Sequence, residues 1–302
     1  MAEATLVLGT AQMGIPYGLN NTHGMPSEEE SFSILDAARA GGIDTLDTAC
    51  AYGTAEDTVG RWLGSRKLGG KIRVISKMKP HILNEYPDGT KAADIVHREV
   101  EKSLQRLGIE YLDGYLLHSP HYIYMSHVVE GLRKAKEKGL ARNIGVSIYD
   151  EAEALKAAEL GMDYVQVPYN VLDRRLHNTD FFDLARKNKV TVFARSPFLQ
   201  GLLVMAPERI PPHLSHARPL VERFQKIAAR HKRSPAEAAL LFALARSNAD
   251  HVVFGAEELA QLEEDLNVRS TTDAALVKEI EESFQDTSRS IVNPSLWSKV
   301  KQ

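Results

Sequence analysis

Residues 95–118 read Ile95-Val-His-Arg-Glu-Val100-Glu-Lys-Ser-Leu104-Gln-Arg-Leu107-Gly108-Ile-Glu-Tyr-Leu112-Asp-Gly-Tyr-Leu-Leu-His118. In the first half, apolar side chains recur at 96, 100, 104 and 107, three and four apart, which predicts an amphipathic helix over Ile95–Leu107. Gly108 stops it. Leu112–His118 then forms a short apolar run, suited to a parallel strand covered on both faces. Helix followed by buried strand is the unit, and it repeats in both directions along the chain.

Strand-like runs occur at Leu6–Gly9, Ile43–Asp47, Ile72–Lys77, Leu112–His118, Asn143–Ser147, Tyr164–Val167, Thr191–Ala194 and His251–Phe254. Between them the spacing predicts helices over Ser31–Arg39, Glu56–Leu63, Val128–Lys138, Glu151–Leu160, Thr179–Lys187, Leu220–His231, Ala236–Arg246 and Glu257–Val268. Ser27 followed by three glutamates marks the start of the first helix, and Gly41-Gly42 its end. The strands begin on average 35 residues apart. Eight such units in α/β alternation predict a closed (β/α)8 barrel of the TIM type, with parallel strands and right-handed crossovers. An open doubly wound sheet is the rival, and no G-x-G-x-x-G follows any strand to support it. With no break in composition, residues 1–302 read as one domain. An extra loop and helix fill the long, proline-rich interval between strands seven and eight.

Composition narrows the function. The chain of 302 residues is 43% hydrophobic and 25% charged, with a net charge of −3, which argues against a disordered tail or a basic nucleic-acid binder. A single cysteine, Cys50, excludes a disulfide framework and a multi-thiolate zinc site. The acidic start is unlike a secretory signal and no apolar run suits a bilayer span, so a cytoplasmic protein with no membrane or nucleic-acid partner is expected.

In such barrels chemistry gathers where strands end. Strand two ends at Asp47, strand three at Lys77 and strand four at His118, while Tyr52 lies in the loop leaving strand two. Neighbouring strands run about 4.8 Å apart, so these groups can meet. Alone, each has an ordinary reading: a turn carboxylate, a solvated lysine or tyrosine, a core histidine. Together they suit proton delivery to a carbonyl oxygen. An ammonium beside a phenol lowers its pKa, a carboxylate keeps the ammonium charged, and an imidazole orients the oxygen.

Asp47-Thr-Ala-Cys-Ala-Tyr52-Gly53, Ile75-Ser-Lys77 and Leu116-Leu-His118 resemble the aldo-keto reductase motifs, in order, and the likeness spans nearly the whole chain. The resemblance implies a reductase that acts on a small-molecule carbonyl substrate. Tyr52 would be its proton donor, Lys77 and Asp47 would tune it, and His118 would orient the carbonyl. It also implies NADPH or NADH as cofactor, bound without a Rossmann domain. By resemblance, Gly9 and Thr10 lie near the nicotinamide ribose together with Asp47, and Ser147 and Gln166 hold the carboxamide. Ile148 stands where the family pattern has Asn. Ser196, Leu199 and Gly201 belong to the pyrophosphate loop, and Arg195 occupies a position that is often a stacking aromatic. Gly255, Gln261, Glu264 and Asp265 resemble the adenosine end. Glu257 and Glu258 nearby oppose a 2′-phosphate, so weak discrimination between the two cofactors is expected. Relatives close the barrel floor with a β-hairpin, whereas here the first strand starts near residue 6, leaving the floor open or filled by other groups.

Around the mouth the reading places Gln12, Met13, Tyr17, His81, His121, Tyr122, Tyr124 and Trp297, a lining suited to polar, sugar-type carbonyls. The R-S-x-F-L-Q-G-L-L stretch also resembles reductases of bacterial surface-sugar pathways. Two other functions compete. Potassium-channel beta subunits use this scaffold as nicotinamide-binding partners or sensors, and Lys77 could instead form a Schiff base. Gly64–Lys71 lacks the lysine of a phosphate loop in register, and His118-x-x-His121 and His213-x-x-His216 sit beside prolines without a carboxylate, so no metal site is expected.

Overall fold

The computed structural model describes residues 4–85, 91–268, 272–284 and 287–301. Eight strands, β1 (Thr5–Gly9), β2 (Thr45–Asp47), β3 (Arg73–Lys77), β4 (Leu112–Leu117), β5 (Ala141–Ser147), β6 (Tyr164–Pro168), β7 (Thr191–Arg195) and β8 (His251–Gly255), pair in sequence order. All pairs are parallel, and β8 returns to β1 through Thr5–His251 to Gly9–Gly255, closing the cylinder. Helices α1 (Glu28–Ala40), α2 (Ala55–Ser65), α3 (Ala92–Leu107), α4 (Ser126–Glu137), α5 (Glu151–Glu159), α6 (Phe181–Lys187), α8 (Pro235–Arg246) and α9 (Leu259–Asn267) follow the eight strands in turn. The expected added helix between the last two strands is α7 (Arg218–Arg230). Among the described residues no helix is long and apolar enough to cross a membrane.

Local chemistry sets the boundaries. Ser27 accepts a hydrogen bond from Glu30 N while the Glu30 carboxylate accepts from Ser27 N, a reciprocal cap that starts α1. β2 is shorter than its apolar run because Ile43 N donates back to Ala38 O, which makes Ile43 part of the turn that ends α1. The sixth helix begins at Phe181 and not at Thr179, whose hydroxyl instead accepts from Phe181 N. Two further helices, α10 (Ala274–Ser283) and α11 (Arg289–Val292), follow α9 and lie outside the sequence expectation. The first was readable: Asp273 caps it by accepting from Leu276 N, and Leu276, Val277 and Ile280 form its buried stripe.

Two apolar layers hold the fold together. One lies between the strands and the helices. The other, Val7, Ile75, Leu116, Tyr164, Phe193 and Val253, fills the inside of the cylinder. The floor is filled by side chains. Tyr164 and Phe193 pack with ring centres 4.9 Å apart, and His251 stacks on Phe193 at 4.5 Å. The Tyr164 hydroxyl donates to Asp113 and accepts from Asn143, and Arg73 pairs with Asp44 beside them. Gly114 makes room for this plug, since a Cβ there would sit 2.8 Å from the Tyr164 ring.

Candidate active site

The opposite, C-terminal end of the barrel holds a cavity of about 460 Å³ that runs from the mouth to the N-terminal end of α8. Backbone hydrogen bonds step from loop to loop around the rim: Thr10 N to Asp47 O, Thr48 N to Ile75 O, Met78 N to Leu116 O. This staircase brings three strand ends together. Asp47, Tyr52 and His118 line the cavity. Lys77 is 1% exposed and lies behind them, donating to Asp47 Oδ2 at 2.6 Å and to Thr48 O at 3.0 Å. Its Nζ stands 5.2 Å from the centre of the Tyr52 ring, and the Tyr52 and His118 rings meet edge-on at 5.8 Å. A lysine so enclosed has no path to a carbonyl in the cavity, which removes the geometry a Schiff base requires.

The electrostatics differ from the sequence expectation at Tyr52. Burial and the Asp47 carboxylate push its phenol well above the ordinary value, with Arg195 opposing. Burial is the main reason, because loss of solvation penalises the phenolate, and the Asp47 carboxylate that pairs with Lys77 adds to it. His118 is pulled down from 6.5 to about 3 by burial, helped by Lys77, Arg195 and His81, so its imidazole is neutral at ordinary pH. Its Nδ1 is buried without a hydrogen-bond partner.

Of the other residues singled out in the sequence, Gly9, Ser147, Arg195, Ser196, Gly201, Gly255, Gln261, Glu264 and Asp265 border the same cavity. Thr10, Gln166 and Leu199 do not. Thr10 is buried, its hydroxyl donating to Asp47 O. Leu199 packs into the core, within a loop where Ser196, Leu199 and Gln200 all take positive φ. Gln166 donates through Nε2 to Asp47 Oδ1 at 2.5 Å, and its buried Oε1 has no partner. Arg195 crosses from the end of β7 to β5, donating to Ser147 Oγ at 3.1 Å and to Ile148 O at 2.8 Å, with its guanidinium over the Tyr149 ring. The Ile148 side chain is buried in the core and offers no polar group.

At the mouth, Gln12 and Tyr17 line the cavity as expected. Met13, His81, His121, Tyr122, Tyr124 and Trp297 do not. Tyr122 is buried with its hydroxyl accepting from Leu83 N, Trp297 is buried and donates to Ile291 O, and His81 and His121 stack on each other outside the cavity. Sequence reading missed Tyr149, Gln200, Pro294 and the Ser234–Ala236 start of α8, all of which line it. The Ser234-Pro235 helix start was visible in the sequence, but nothing local placed it at the site.

A model of the aldo/keto reductase family matches residues 5–283. The chain belongs to that family. The NADH-specific methylglyoxal reductase of Escherichia coli strain K12 is 28% identical to this aldo/keto reductase over 289 residues, covering 84% of this chain and 87% of the relative. Aldo-keto reductase YhdN of Bacillus subtilis is 27% identical over 265 residues, covering 80% and 78% of the two chains. Among solved structures, the holo form of AKR11C1 from Bacillus halodurans superposes with a TM-score of 0.72 over 95% of this chain and 94% of that one, at 22% identity, a likeness of fold. As an aldo/keto reductase, the protein is an oxidoreductase of the class that uses nicotinamide cofactors on small-molecule carbonyl compounds.

Proposed function

We propose that this chain reduces a short, polar aldehyde or ketone to the alcohol in the cytosol, with NADH as the favoured hydride source and Tyr52 as proton donor. The observation that carries this is the convergence of Tyr52, His118 and Asp47 on one cavity, with the Lys77 ammonium 5.2 Å behind the phenol ring.

The residues present fit a nicotinamide at the mouth. Paired across the β5–β6 register, Ser147 has a hydroxyl proton free while its oxygen accepts from Arg195, and Gln166 leaves a buried carbonyl oxygen unpaired. One donor and one acceptor side by side suit a carboxamide. The cofactor, when bound, supplies hydride to the carbonyl carbon. The protein's part is the oxygen. His118, kept neutral, has an N–H to donate and orients it. Tyr52, kept protonated by burial, releases its proton as negative charge builds on the oxygen. A phenol held protonated is the form that can donate to the oxygen in the reduction direction.

The far end of the cavity supports the cofactor preference. Glu257, Gln261, Glu264 and Asp265 line it, and among the described residues no lysine or arginine does so there. Against a 2′-phosphate dianion this end presents the Glu257 and Glu264 carboxylates and, among the described residues, no cation. That strengthens the sequence expectation from weak discrimination to a preference for NADH. The Gln12, Tyr17 and Tyr149 lining suits a hydroxylated substrate, sugar-derived carbonyls included.

Steady-state oxidation of NADH with a panel of short aldehydes and sugar-type carbonyls, compared with Tyr52→Phe, tests the reading. The expected result is turnover in the parent and a loss of about 10²–10⁴-fold in the variant with NADH affinity retained. Cofactor binding without turnover across the panel would instead assign the protein to the non-catalytic, sensor-like role.

A further inference from the structure

Arg195 is the one cationic residue bordering the cavity among the described residues, and its charge is not neutralised. Every group its guanidinium touches is neutral: the Ser147 hydroxyl at 3.1 Å, the Ile148 carbonyl at 2.8 Å, the Ser196 hydroxyl at 3.3 Å, and the Tyr149 ring 4.7 Å beneath it. No carboxylate forms an ion pair with it among the described residues, and Asp173, the buried carboxylate that feels its charge, is already paired with Arg175 at 2.8 Å. The other cation at the mouth, Lys77, is cancelled by Asp47 at 2.6 Å, and that carboxylate is further occupied by Gln166. The reaction end of the cavity therefore carries a net positive charge in a partly dry setting. The carboxylates of Glu257 and Glu264 lie at the other end.

The charge of Arg195 reaches the reacting groups. It opposes the upward shifts of the Tyr17 and Tyr52 phenols and adds to the downward shift of His118. Arg195 Nε donates to the Ser147 hydroxyl at 3.1 Å, so a nicotinamide whose carboxamide Ser147 held would meet the field of the same guanidinium. The reduced ring is neutral and the oxidised ring carries a positive charge.

We propose that Arg195 makes this site select the redox state of its cofactor, binding NADH well and repelling NAD⁺. The inference rests on the nicotinamide reading above. Its consequence is a cavity that favours the hydride donor on entry and hastens departure of the oxidised product, in keeping with a Tyr52 phenol set for reduction.

Dissociation constants for NADH, NAD⁺ and ADP-ribose, measured by calorimetry on the purified full chain, test it. In the parent protein NADH is expected to bind at least tenfold more tightly than NAD⁺, and NAD⁺ no more tightly than ADP-ribose, since its charged ring contributes nothing favourable. Arg195→Gln, which keeps a planar donor and removes the charge, is expected to lower the NADH-to-NAD⁺ preference at least fivefold, chiefly by tightening NAD⁺. Arg195→Lys, which keeps the charge and loses the fork, is expected to retain the preference while weakening both. Equal binding of the two redox states by the parent, or a preference unchanged in Arg195→Gln, overturns this proposal and leaves the cofactor reading intact. Failure of the parent to bind either nucleotide overturns both. The parent comparison with ADP-ribose decides the matter even if Arg195→Gln does not fold.

Discussion

Lys77 Nζ and Asp47 Oδ2 lie 2.6 Å apart in a place where neither side chain is more than 6% exposed. The two charges are set on neighbouring strands, and each is tolerable there only because of the other. Removing one partner of a buried pair commonly costs about 3–5 kcal/mol, because the survivor stays charged without compensation. Lys77→Met is expected to lose stability on that scale, and Lys77→Met with Asp47→Asn to recover a good part of it. Urea unfolding of both singles and the double closes the cycle, and additive costs would show that the two charges do not sustain each other.

His118 supplies a pH prediction. Held near 3, its imidazole is neutral in the folded chain while the unfolded chain takes up a proton below about 6.5. The unfolded state therefore binds more protons between those values, and stability falls as pH drops from about 6.5 toward 3. His118→Gln is expected to flatten that decline in a thermal-melt series. The kcat/KM profile of the parent is expected to show no imidazole ionisation near neutrality, and a step there would contradict a neutral His118.

Asp265 titrates in the opposite sense. Burial and the neighbouring Glu264 raise its carboxyl from 3.8 to about 8, so the folded chain holds a proton that the unfolded chain releases. Stability is lost as pH rises between those two values, at up to about 1.4 kcal/mol per pH unit, and the full penalty stands above pH 8. Asp265→Asn is expected to melt at the parent's temperature near pH 4 and several degrees above it at pH 8. A gain of the same size at both pH values would assign the effect to packing.

Gly14 and Gly53 face each other where the loop after β1 crosses the loop that carries Tyr52. A Cβ on Gly14 would fall 1.8 Å from Tyr52 O, and one on Gly53 2.1 Å from Gly14 O. Gly14→Ala has to drive the two loops apart and is expected to lower kcat/KM at least tenfold by displacing the proton donor. Gly64→Ala, with nothing within 4 Å of the added methyl, is the control and is expected to leave turnover unchanged while adding about 0.5–1 kcal/mol of stability.

The barrel was legible because its strands are short apolar runs separated by amphipathic ones, and closure leaves only one order in which eight such units pair. Asp47, Lys77 and His118 could be placed for the same reason, since each stands at or just past a strand end. What local pattern does not carry is contact between distant loops. Leu19 N donates to Gln200 O at 2.8 Å, and Gly201 leaves room for Asn20, so the loops after β1 and β7 are fastened across the cavity with no motif to announce it. The sign of the Tyr52 shift was hidden likewise: a lysine paired with a carboxylate near a phenol was readable, but not that the phenol would be buried deeply enough for lost solvation to outweigh the cation. Arg195 could be singled out as unusual, whereas its partners on β5 required the register.

With Tyr164, Phe193 and His251 plugging its base, the cylinder formed by the described residues opens at its upper rim. Cohesion and reactivity are thereby assigned to opposite poles. Asp113, Asn143 and Arg73 can be redesigned to toughen the lower pole without disturbing what is converted above, and the rim can be recut for a new reactant while the lower pole keeps the vessel whole.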